Sequence, residues 1–228
     1  MKWLPEIDWK CAGVRTSDWV VTSLLSLLVV SCSAQKTPAE EVTASFQTYK
    51  EAVIKQDGKA ALPVISQGTL NYFGQTLKHA LESSREDVEK LRTADKLLVL
   101  RARHQVPAET LRKMSAADFF AYGIDKGWTT KESAVSLSLG HIDASGDTAK
   151  AELVVGGKKA PASMAYVFHK ESGKWKLDML PMMTRVDAMF KQAIRTQGVE
   201  ENEFLFNVLE SVSRQKVSDD VWKPINAK

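Results

Sequence analysis

Apolar positions along this chain keep a helical period over its first half, change to alternation, and then return to a helical period. Val42, Phe46, Tyr49 and Val53 recur at intervals of four, three and four, which puts them on one face of a helix. Thr37-Pro38-Ala39-Glu40 opens that helix. Threonine is the N-cap, proline takes the first position where no amide partner is lost, and glutamate closes a capping box. Asp57-Gly58 is the expected stop. Residues 59–82 predict a short helix broken near Pro63, then a longer one carrying Leu70, Tyr72, Phe73 and Leu77. Ser83 or Ser84 caps another short piece, and the run DKLLVLRARHQV predicts a helix that stops before Pro107. Ser115 caps a further short helix, with Gly127 at or just beyond its end.

From Ser133 onward the period is 2. Val135, Leu137 and Leu139 alternate with serines, and Ala149, Ala151, Leu153 and Val155 alternate with Lys150, Glu152 and Val154. Met164, Tyr166 and Phe168 form a third run and Trp175, Leu177 and Met179 a fourth. The links DASGD, VGGKKAP and KESGK are rich in turn residues, so the four runs predict an antiparallel meander with one wet face. Gly156-Gly157-Lys158-Lys159 lacks phosphate-loop spacing and reads as a hairpin. After Pro181, Met182, Val186, Met189 and Ala193 form a helical stripe with Phe190 and Ile194 beside it, ending at Gly198. A second helix from about Glu200 carries Phe204, Leu205, Val208, Leu209 and Val212, and an irregular tail offers Val217 and Trp222 for docking. The expected class is α+β: N-terminal helices packed on a curved antiparallel sheet of about four strands, followed by two C-terminal helices.

The N-terminus adds an address. The apolar run from Trp19 to Val30 is 12 residues long, too short for a span of about 20 and suited to a secretory signal core. It ends in Val29-Val30-Ser31-Cys32, which resembles the bacterial lipobox. That resemblance implies cleavage between Ser31 and Cys32, acylation of Cys32, and attachment to the membrane of a bacterial envelope, with Ser33 favouring the outer membrane, facing the periplasm. The leader before the run is long and carries Glu6, Asp8 and Asp18, so an alternative start at Val14 competes with Met1. The expected organisation is a signal peptide at 1–31, a lipidated tether at 32–38, a folded domain at 39–180 and a helical extension at 181–228. The cysteines are Cys11 and Cys32, so beyond the tether there is no disulfide, thiolate metal site or cysteine nucleophile. A net charge of +3 spread over interspersed lysines and acids gives no dense basic face, which argues against nucleic-acid binding.

Helices followed by a meander ending in Phe168-His169-Lys170-Glu171-Ser172-Gly173-Lys174-Trp175-Lys176-Leu177-Asp178 resemble the nuclear transport factor 2-like superfamily. The opening helix with Phe46 and Tyr49, then Asp57, is similar to the family's start, and Asp125-Lys126-Gly127-Trp128 resembles a set of bacterial secreted members. The resemblance covers about residues 39–180 and implies a cone-shaped fold in which helices close a cavity against a curved sheet. Members include cofactor-free isomerases, dehydratases and cyclases as well as binding proteins, so the fold does not choose the function.

Candidate chemistry is sparse. His104 near a helix end reads as a dipole partner, His169 as a partly wet sheet position, His141 as a strand end and His79 as an exposed helix position. Asp143 and Asp147 suit turns, and Asp178 shares the polar side of its strand with Lys176. No histidine pair has metal-ligand spacing and no cofactor motif is present. Tyr49, Tyr72, Phe73, Trp128, Tyr166 and Trp175 are the candidate lining of a cavity, though each is first a core residue. The expected function is non-catalytic binding of an apolar small ligand or an envelope protein. A cofactor-free enzyme and a docking module built on the C-terminal helices are the alternatives.

Overall fold

A computed structural model describes residues 36–227. The signal segment, the Ser31–Cys32 processing point, the Val14 start and the first residues of the tether lie outside the described residues. Eight helices come first: α1 (Pro38–Lys55), α2 (Gly58–Ala61), α3 (Gln67–Glu82), α4 (Arg85–Glu89), α5 (Thr93–Gln105), α6 (Ala108–Leu111), α7 (Ala116–Asp125) and α8 (Lys131–Ser136). Strands β1 (Leu137–Ser145), β2 (Thr148–Val155), β3 (Lys158–Lys159), β4 (Tyr166–Glu171) and β5 (Lys174–Asp178) follow, then α9 (Leu180–Gln197) and α10 (Glu201–Ser213). The class is α+β, with helices packed against one antiparallel sheet.

The capping box of α1 forms as its sequence dictates: Thr37 accepts from the Glu40 amide, and the Glu40 carboxylate accepts from the Thr37 amide at 2.7 Å. The helix end differs from expectation. Gln56, not Gly58, takes the left-handed conformation, and Asp57 caps α2 by accepting from the Ala60 amide. Gly58 is needed for another reason. A Cβ there would lie 2.1 Å from the Ala121 carbonyl oxygen, so glycine lets the α2 backbone rest directly on α7.

The sheet runs in the order β1-β2-β4-β5, with β3 pairing the far end of β2 through the Gly156-Gly157 hairpin. Register aligns Ala144, Ala149, Phe168 and Leu177 in one row, of which Ala149, Phe168 and Leu177 are buried and Ala144, on the edge strand, is exposed. A bulge between Leu139 and Ile142 shifts the alternation of β1, so Leu137 and Leu139 before it and Ile142 after it all pack against the core. His141 therefore sits inside β1, at the bulge, rather than at its end. Two further boundaries differ. Residues 131–136 form a helix because Thr130 caps it at the Ser133 amide, which leaves Val135 61% exposed instead of on a strand. Met164 belongs to a 3-10 turn before β4, and Met179 lies just past the end of β5.

Helix α1 crosses the buried face of the sheet. Ser45 donates to the Trp175 carbonyl of β5 at 2.7 Å, and one turn further on Lys50 donates to the Leu137 carbonyl of β1 at 2.6 Å. The C-terminal helices share the same core through Phe204, Leu205 and Leu209. They also supply what α5 lacks at its own start, where Arg92 gives no side-chain cap. Asp187 of α9 accepts from the Ala94 amide at 3.2 Å, and Glu201 of α10 accepts from Thr93 Oγ1 at 2.5 Å and Lys96 Nζ at 2.6 Å. The stripe expected on α9 changes accordingly. Asp187 is buried, and Met189 points to solvent at 58% exposure.

Arg103, near the opposite end of α5, is buried and its side chain donates to backbone alone. It donates to the carbonyls of His79, Ala80 and Ser83 at 2.8, 2.9 and 2.6 Å, and to those of Val221 and Trp222 at 3.4 and 2.8 Å. One guanidinium thus joins the end of α3 to the tail, which the Ile225 and Asn226 amides also tie to the Ala80 and Leu81 carbonyls and whose Trp222 is buried.

Candidate functional site

A cavity of about 540 Å³ lies between the helices and the sheet. Its position follows from the ends of several elements. The sheet contributes Leu137 from the start of β1, Leu153 from β2 and Tyr166 from the start of β4. Opposite them stand Tyr49 of α1, Phe73 of α3 and Phe120 of α7. Phe73 and Phe120 pack edge to face at 5.1 Å, a geometry that suits the charge distribution of aromatic rings and holds this wall in place. Met182, Met183 and Val186 line the cavity from α9, so the extension forms part of the wall.

Of the six aromatic residues singled out from the sequence, Tyr49, Phe73, Trp128 and Tyr166 line the cavity. The other two sit elsewhere. The Tyr72 hydroxyl donates to Asp95 at 2.6 Å, in a cluster where Asp95 also takes Arg92 Nε at 2.7 Å. Trp175 is buried under α1, its indole N–H donating to Glu41 at 3.1 Å. Both have polar tips that needed a partner, and each found a helix-borne acid, Asp95 of α5 or Glu41 of α1, that is not part of the lining. Arg101, Leu98 and the methionines of α9 line the cavity without having been foreseen. Leu98 and Arg101 are three residues apart on one face of α5, a signal present in the sequence but masked by two charged residues, Lys96 and Arg103, that are buried on its other sides.

Tyr49, Arg101 and Tyr166 are the ionisable side chains of the lining among the described residues. Burial raises the Tyr49 phenol well above its usual range, with Tyr166 nearby adding to the effect, and pushes Tyr166 up to about 12. Burial pulls the Arg101 guanidinium down to about 10, still protonated at neutral pH. Its guanidinium carbon lies over the Trp128 ring, 4.8 Å from the centroid, and Nε donates to Gln105 Oε1 at 3.0 Å. Among the described residues, Gln105 is its one hydrogen-bond acceptor, and no carboxylate pairs with it.

The remaining candidates hold the frame. His79 bonds Ser83 at 2.8 Å, and His104 bonds Ser213 at 3.0 Å, tying α5 to the end of α10. His169 lies 3.3 Å from Asp178, whose other oxygen accepts the Leu180 amide at 2.9 Å and so starts α9. No group of His, Cys, Asp or Glu among the described residues is arranged to hold a metal ion, and none of the described helices is long and apolar enough to cross a membrane. No protein-family signature, curated protein or solved structure matches this chain.

Proposed function

We propose that this chain is a lipid-anchored envelope protein of nuclear transport factor 2-like, cone-shaped architecture, which binds an apolar small molecule without transforming it. The observation that carries the binding function is the cavity itself. Its volume falls within the roughly 300–1,000 Å³ typical of small-molecule sites, and aromatic, leucine and methionine side chains dominate its wall. General acid–base catalysis works best with a group that titrates near the working pH. The tyrosines and the arginine of this lining all titrate far above neutrality, which favours holding a ligand over moving its protons. The architecture is supported by helices closing a cavity against one end of an antiparallel sheet. The anchor is supported by the Val29–Cys32 sequence.

Titration with phenylnaphthylamine, a neutral dye that brightens in apolar surroundings, tests the binding function. Saturable one-to-one binding is expected, and Leu98→Trp, which fills the cavity from α5, is expected to weaken it at least tenfold. Absence of saturable binding, or binding untouched by Leu98→Trp, contradicts the proposal. For the anchor, Cys32→Ala should move the protein out of the membrane fraction, and unchanged fractionation contradicts it.

A further inference from the structure

Arg101 is an arginine at the wall of an apolar cavity, and among the described residues no carboxylate meets it. A charged side chain removed from water is costly unless an opposite charge and hydrogen bonds compensate it. Arg103, a turn-half away on the same helix, shows what full compensation looks like in this protein, with five carbonyl acceptors. Arg101 has Gln105 on Nε alone, and its two Nη groups donate to no protein acceptor among the described residues. No fully enclosed polar side-chain atom among the described residues lacks a partner, so these Nη groups are reachable from the cavity or solvent. The guanidinium lies over the Trp128 ring, 4.8 Å from its centroid.

The polar groups of the lining are also grouped along the chain. Thr129, Ser133 and Ser136 come from the segment that Trp128 begins, and the stack on Trp128 brings Arg101 to it. Met164, Met179, Met182 and Met183 come from the turn before β4 and the start of α9. Unbranched, polarisable methionine side chains adapt to a flexible aliphatic chain. The lining is therefore amphipathic, with one fixed positive charge.

We propose that the ligand is an amphiphile with an aliphatic tail and a single carboxylate, such as a medium- or long-chain fatty acid, whose carboxylate pairs with the Arg101 guanidinium. A planar carboxylate matches the edge of a guanidinium with two parallel hydrogen bonds, and one negative charge balances the one cation that the described residues place in the lining. This rests on the binding function proposed above and adds the class of ligand to it.

The test is calorimetric titration of the purified full chain with dodecanoate, below its micelle-forming concentration, and with dodecanol. The expected result is one-to-one binding of both, with dodecanoate about tenfold to a hundredfold tighter, the usual worth of a charged hydrogen-bonded contact. Arg101→Met should remove that preference, so that dodecanoate binds no tighter than dodecanol, and continued saturable binding of dodecanol shows that the variant keeps its cavity. Arg101→Lys should retain part of it. Equal binding of the two ligands to the unaltered chain overturns the head-group assignment and leaves the apolar-binding function standing. Loss of both ligands in Arg101→Met and Arg101→Lys alike overturns it too, because Arg101 would then be shaping the cavity rather than pairing with an anion. Failure of the unaltered chain to bind either ligand overturns both proposals.

Discussion

Arg101 and Arg103 stand on one turn of α5, Arg103 buried and Arg101 partly so, and burial pulls both guanidinium groups down to about 10. Their partners differ completely. Arg103 gathers carbonyls from α3 and the C-terminal tail, so its fork is filled by the fold. Arg101 faces a cavity, rests on Trp128 and leaves most of its fork open. Burial alone therefore says little about a charged residue's role. What distinguishes structure from binding is whether the protein completes the hydrogen-bonding set of the charge it has desolvated.

The sharpest separation comes from stability. Arg103→Met removes the side-chain donor from five carbonyls, of which those of His79 and Ala80 keep a backbone amide, and loosens the hold on the tail, and should cost about 3–5 kcal/mol in urea unfolding. Arg103→Lys, with a point charge instead of a fork, should recover less than half of that loss. If Arg103→Met unfolds like the unaltered protein, the difference between the two arginines is one of geometry without energetic consequence.

Asp187 links the frame to the cavity, because α9 both caps α5 and lines the site. Asp187→Ala should cost about 1–2 kcal/mol, as loss of a cap does, and should weaken ligand binding by loosening the α9 wall. Burial alone would raise the Asp187 carboxyl, yet Lys191 at 2.9 Å and the Ala94 amide outweigh it and hold it below the usual aspartate value. A depressed folded-state value means that this stabilisation is present above the unfolded aspartate value of about 4 and is lost as pH falls through the lower, folded one. Acid unfolding of Asp187→Ala should accordingly be less steep below about pH 4. An unchanged acid limb would show that the carboxylate adds nothing there.

The smallest stability effect belongs to Arg101→Met. Losing the Trp128 stack costs about 0.5–1 kcal/mol, and removing an unpaired, desolvated charge offsets it, so unfolding should stay within about 1 kcal/mol of the unaltered chain. A loss as large as that of Arg103→Met would erase the distinction.

Local chemistry explains which parts of this molecule were legible beforehand. The capping box at Thr37 and Glu40, the Ser115 cap and the alternation through β2, β4 and β5 are set by residues within a few positions of one another. Helix α8 was missed because Val135, Leu137 and Leu139 fit a strand period, while the Thr130 cap that decides the matter lies upstream. The face of α9 was misjudged because burial of Asp187 depends on an uncapped α5 nearly a hundred residues earlier, with which it forms a contact 93 positions apart. The cavity was half legible. Its aromatic wall stood out by composition, whereas Arg101 and Arg103 look alike in sequence and are told apart only by where α3, Trp128 and the tail converge.

Urea unfolding of the unaltered chain and of Arg101→Met, each with and without dodecanoate, tests the central claim most directly. At a ligand concentration a hundredfold above the dissociation constant, the unaltered chain should gain about 2.7 kcal/mol, and Arg101→Met, binding at least tenfold more weakly, about 1.4 kcal/mol or less. Equal gains in the two proteins, or no gain in either, would contradict it.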